Sequence, residues 1–115
     1  MEIRFEIPDE LCTDEVKQFA NEAKQCVELY SKKNHDYGNS FDKGMDNIGM
    51  AYGVGRIYDK MNRLVTITKN GNEYTIQINT ETIDDTLRDL ACYAIMMLTY
   101  RKRQINKEQQ KINFE

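Results

Sequence analysis

Three groups of residues in this chain have the types and spacing for chemistry on a charged ligand. The first is Lys33-x-x-Asp36-Tyr37-Gly38-x-Ser40, which gathers a cation, a carboxylate, a phenol and a hydroxyl around a glycine. Backbone can approach a ligand closely at such a glycine, though a helix C-cap followed by a turn has the same composition. The second is Arg56-x-x-Asp59-Lys60-x-x-Arg63, entered from Gly53-Val54-Gly55. At 100° per residue Arg56, Lys60 and Arg63 lie within about 60° of one another on a helix. Three cations on one stripe at a helix N-terminus suit a phosphate. The spacing serves equally for a solvated face on which Asp59 pairs with Arg56 and Arg63. The glycine pair lacks both the Lys-Ser/Thr ending of a P-loop and the full dinucleotide fingerprint.

The third group is Glu81-x-x-Asp84-Asp85-x-x-x-Asp89. Glu81, Asp85 and Asp89 are spaced i, i+4, i+8 and share one helical stripe. The helix dipole and an Asp84–Arg88 pair account for acids in the first turn. They do not account for Asp89, which sits a turn further in, beside the apolar run Leu90–Leu98. A carboxylate there needs a cation, hydrogen bonds or a metal. Glu81, Asp85 and Asp89 are thus candidate ligands for Mg²⁺, which takes oxygen donors and shares them with phosphate. An ion pair from Asp89 to Arg56, Lys60 or Arg63 is the competing reading. The single histidine, His35, reads as a solvated turn residue. Tyr37, Tyr52, Tyr58 and Tyr93 have the faces to stack on a base, although tyrosines at helical spacing are more often core.

Positioning these groups requires a scaffold. Ile3, Phe5 and Ile7 alternate with Glu2, Arg4 and Glu6 up to Pro8, the pattern of a short strand. Thr13-Asp14-Glu15 caps a first helix, which the spacing of Val16, Phe19, Ala23, Val27 and Tyr30 carries to about Lys33. Residues 44–55 hold four of the six glycines, which argues against a regular helix there. Ile57, Tyr58, Met61, Leu64 and Val65 then mark a second helix. Val65 and Ile67, followed across Asn70-Gly71 by Tyr74, Ile76 and Ile78, have the period of a β-hairpin. Asn79 or Thr80 caps a last helix from Glu81 to about Tyr100 or beyond. The expectation is an α+β fold: three helices with a small antiparallel sheet of residues 2–8 and the 65–78 hairpin. The last helix is apolar on every side between Leu90 and Leu98, so a homo-oligomer, a dimer or higher, is expected to cover it.

With 115 residues the chain is read as a single domain, 1–115, ending in a polar, basic tail from 101 to 115. Lys plus Arg total 16 against 19 Asp plus Glu, for a net charge of −3. That balance argues against a duplex nucleic-acid partner, which calls for a basic excess. The longest apolar run has nine residues, about half of a bilayer span, and no signal-peptide pattern opens the chain. Three cysteines without a CxxC spacing point away from a disulfide framework or structural zinc and towards a reducing cytoplasm.

The three motifs, in order, resemble the nucleotide modification associated domain 1 family, known mainly from phages and prophages. The resemblance rests on Lys33-Asn-His-Asp36-Tyr37-Gly38-Asn-Ser40, Arg56-Ile-Tyr-Asp59-Lys60-Met-Asn-Arg63-Leu64 and Asp85-Thr-Leu-Arg-Asp89-Leu-Ala-Cys-Tyr93-Ala94, and spans about residues 30–98. It implies a phosphorylated nucleotide as ligand and, for a phage-encoded chain, the host cytoplasm. A more distant similarity is to all-α NTP pyrophosphatases, in which Glu81-x-x-Asp84 would match half of the metal site. The chain has no Glu-x-x-Glu to supply the other half.

Two functional readings follow, with a third from a different class. One is a protein that binds or sequesters a phosphorylated nucleotide, such as a host signalling nucleotide. Its site would be Lys33, Asp36, Tyr37, Ser40, Arg56, Lys60 and Arg63. The other is an Mg²⁺-dependent nucleotide pyrophosphohydrolase or nucleotide-modifying enzyme using Glu81, Asp85 and Asp89. A structural or protein-interaction module would need none of these residues.

Overall fold

The computed structural model describes residues 2–69 and 80–114. Residues 2–8 are irregular and lead through a 3₁₀ turn at Asp9–Leu11 into α1 (Asp14–Tyr37). Three more helices follow: α2 (Ser40–Ile48), α3 (Met50–Lys69) and α4 (Thr80–Phe114). The expected α+β architecture is therefore corrected, since no strand occurs among the described residues.

Residues 2–8 show why alternation was insufficient. An apolar face makes a strand only when a neighbour pairs with its backbone and covers that face. Phe5 is 78% exposed, and Ile3 and Ile7 are also open to solvent. Val65 and Ile67, assigned to the hairpin, continue α3 instead. Branched residues lose only a few tenths of a kcal/mol in a helix, which tertiary packing overrides. Leu64 and Ile67, three apart, keep the helical spacing and are half-buried. The Asn70-Gly71 turn and Tyr74, Ile76 and Ile78 lie outside the described residues.

Helix α1 begins as its cap predicts, with the Thr13 side chain accepting from the Val16 N–H at 3.3 Å. It runs four residues past Lys33 and stops at Gly38, whose left-handed backbone (φ 60°) turns the chain. The glycine-rich stretch is helical on both sides of Gly49 (φ 90°), where α2 ends and α3 begins. Two of its glycines serve close approach. A Cβ on Gly44 would lie 2.4 Å from the Tyr52 ring, and one on Gly53 would lie 2.7 Å from the Met97 sulfur. The helical cost of glycine, about 1 kcal/mol each, is offset by close helix contacts that a Cβ would crowd.

Helix α4 is the spine, with 35 residues. Helix α3 runs antiparallel to it, since Gly53 meets Met97 while Lys60 meets Asp89. On another side α1 is tied to it by Arg88–Glu22 at 3.1 Å, and near its far half α2 is tied by Arg103–Asp42 at 2.6 Å. Phe41, Met45 and Met97 form the core, with Tyr52, Ile57, Tyr93, Met96 and Tyr100 packed around them. Buried Thr86 satisfies its hydroxyl on the Thr82 carbonyl at 2.6 Å. No helix among the described residues is long and apolar enough to cross a membrane.

Candidate functional site

Helices α1, α2, α3 and α4 leave a cleft of about 250 Å³ between them. Helix α1 supplies Tyr30, Lys33, Asn34 and Tyr37, spaced so that they line one side of a helix. Gly38 ends α1 at the cleft, so the N-terminal residues of α2, Ser40 and Phe41, close one end. Tyr52 and Arg56, one turn apart on α3, form the facing wall, and Asp89, Cys92, Tyr93 and Met96 of α4 complete the lining.

Charge is distributed unevenly in this cleft. The Asp89 carboxylate, with its side chain 23% exposed, takes two ammonium groups. Lys60 Nζ lies 3.1 Å from Oδ2 and Lys33 Nζ lies 3.5 Å from Oδ1. Arg56 donates to the Tyr52 hydroxyl at 3.3 Å and stands 5.2 Å from that ring's centre. Its hydrogen bond to Tyr52 raises the guanidinium pKa further, so Arg56 carries its charge at any working pH. Two cations thus share one carboxylate, and the third, Arg56, is held by a tyrosine.

The remaining lining is aromatic. Phe41 packs against Tyr52 with ring centres 5.8 Å apart and against Tyr93 at 5.9 Å, both tilted. Such pairs contribute about 0.5–1.5 kcal/mol beyond the area they bury. Tyr37 stands 68% exposed at the rim. In the cleft floor, burial pushes the Cys92 thiol up to about 11, helped by neighbouring Cys26 and by Asp89. Its sulfur donates to the Cys26 carbonyl at 3.7 Å.

The structure brings together Lys33, Tyr37, Ser40, Arg56 and Asp89 from the three motifs, with Lys60 joined through Asp89. Asp36 is exposed and lies off the cleft lining. Arg63 shares the Arg56 stripe but sits about 10 Å further along α3, exposed and outside the lining. Asp85 pairs with Arg88 at 3.6 Å, on the side of α4 that faces α1. Glu81 falls in the first turn of α4. Among the described residues no three acidic, histidine or cysteine side chains gather as metal ligands.

Sequence reasoning missed Tyr30 and Asn34 as wall residues and read Cys92 as core. The signal was available for Tyr30 and Asn34. They precede Tyr37 by seven and three residues, the spacing of one helical face, once α1 is extended to Tyr37.

A family model described as nucleotide modification associated domain 1 matches residues 33–100, a span that holds all three motifs. No curated protein and no solved structure matches the chain.

Proposed function

The chain belongs to the nucleotide modification associated domain 1 family, and on that premise we propose that the cleft binds a phosphorylated nucleotide without turning it over. The observation that carries this reading is the cationic excess on the cleft wall. Asp89 neutralises part of the charge of Lys33 and Lys60, while among the described residues Arg56 meets a phenol and no acid. An incoming phosphate has a fork of guanidinium donors ready and can draw the two ammonium groups from Asp89. The rings of Tyr37, Tyr52 and Tyr93 offer faces for a base, and Ser40 and Asn34 offer hydrogen bonds to a sugar or base edge. Sequestration of a phosphorylated signalling nucleotide, as in a phage-type protein, is the finer form of this reading.

Incubation with a panel of linear and cyclic nucleotides, with and without Mg²⁺, tests it. Intact nucleotide retained without metal is the expected result. Product that forms only with Mg²⁺, and that Asp89→Asn abolishes while binding survives, would favour the hydrolase. Silence across the panel would favour an interaction module.

A further inference from the structure

The face of the α3–α4 pair turned away from the cleft is apolar and uncovered. On α4, Leu87, Ala91, Ala94, Leu98, Ile105 and Ile112 follow alternating steps of four and three residues, apart from one longer step on each side of Ile105. Arg101 and Glu108 fill the two remaining places in that repeat. Such 3.5-residue spacing is the mark of a helix seam that meets another helix. The stripe extends about 38 Å along the helix axis. Leu98 is 55% exposed, and Leu87, Ile105 and Ile112 are also open to solvent. On α3, Val54, Tyr58, Met61 and Val65 form a second exposed stripe at the same spacing. It lies on the opposite side of α3 from Tyr52 and Arg56, by 100° per residue.

We propose that this face binds a second copy of the chain, with the Leu98–Ile112 part of α4 set against the same segment of its partner in antiparallel register across a two-fold axis near residue 105, the end of the partner's α4 running towards the α3 stripe. Area supports self-association. All eight large apolar side chains of the two stripes lie open on this face, and a contiguous apolar patch of that kind marks an interaction surface. A stable dimer needs about 800 Å² from each partner. Charge selects the direction. A parallel pair would stack Arg101 on Arg101 and Glu108 on Glu108, whereas an antiparallel pair can bring each Arg101 towards the partner's Glu108. The inference uses the face opposite the cleft and does not depend on the nucleotide reading.

Sedimentation equilibrium of the full chain tests it, with nucleotide binding measured separately. The parent should sediment at twice the 13.5 kDa chain mass at micromolar concentration. Leu98→Glu and Ile105→Glu should each weaken the dimer at least tenfold while the helical circular dichroism is kept. Ile105 lies beyond the last ion pair to the body, Arg103–Asp42, so its substitution leaves the fold intact. Arg101→Glu should also weaken the dimer, and adding Glu108→Arg should restore it. A monomeric parent, an assembly indifferent to Leu98→Glu and Ile105→Glu, or a charge swap without rescue would overturn the proposal.

Discussion

The two halves of α4 use charged residues in opposite ways. Around Asp89, one carboxylate is shared by Lys33 and Lys60, and Arg56 adds a third cation with no acid in contact among the described residues. Around Tyr100 and Arg103 each acid has its own donor. Asp42 takes Arg103 at 2.6 Å, and Asp46 accepts from the Tyr100 hydroxyl at 2.5 Å. That hydrogen bond raises the phenol pKa, because ionising Tyr100 would place two anions together. The second cluster is saturated and fastens α2 to the spine. The first is left with positive charge on a concave wall, the feature on which the proposed function rests. The same ion-pair chemistry fastens helices where the charges close and, under that proposal, is open to a ligand where they do not.

Substitutions in the two clusters should therefore separate affinity from stability. The largest effect is expected for Arg56→Ala. A charge-assisted bond to phosphate contributes on the order of 1.5–3 kcal/mol, so nucleotide affinity should fall roughly ten- to a hundredfold. The thermal transition should hardly move, because Arg56 is exposed and its neutral partner Tyr52 keeps its packing on Phe41. Equilibrium dialysis and a melting curve read the two quantities independently.

Asp89→Asn should give a smaller change of opposite sign. Removing the carboxylate frees Lys33 and Lys60, and nucleotide affinity measured in EDTA should rise several-fold. A fall in EDTA would mean that Asp89 contacts the ligand itself, and a fall seen only when Mg²⁺ is restored would mean that it holds a metal for the ligand. Arg103→Ala, in the saturated cluster, should lower stability by at most about 1 kcal/mol, given its solvent exposure, and leave affinity untouched. Chemical denaturation of the variant against the parent measures that difference.

Asp89 was also the most legible residue of the site. Its place beside an apolar run demanded a counter-charge, and Lys60, one of the expected partners, supplies it. Lys33 was not foreseen as a partner, because no spacing rule connects residues 56 positions apart in the chain. The cationic stripe was read correctly as a helical face, but a stripe has length as well as direction. Arg63 shares the direction and lies too far along α3 to reach the cleft. The helices around Gly44 and Gly53 were illegible for a related reason, since glycine's cost is local and its compensation is a contact with a distant ring or thioether. Residues 2–8 erred the other way: their alternation is real, but among the described residues no strand pairs with them.

The smallest expected effect concerns Cys92. With its thiol held at about 11, it is protonated at pH 8 and should resist iodoacetamide. Half-exposed Cys12 should label first. Cys92 labelling should climb only as the pH rises towards 11, which peptide mass spectrometry follows directly. Equal rates for the two thiols would show that the cleft floor is more open to solvent than its packing implies.

The most direct test of the central claim is calorimetric titration of the parent chain in EDTA with a nucleotide retained from the panel, and then with its dephosphorylated nucleoside. If the uncommitted cations of the cleft are the source of affinity, the nucleotide binds without metal and at least tenfold more tightly than the nucleoside. Equal affinities, or nucleotide binding that appears only when Mg²⁺ is restored, would contradict the account.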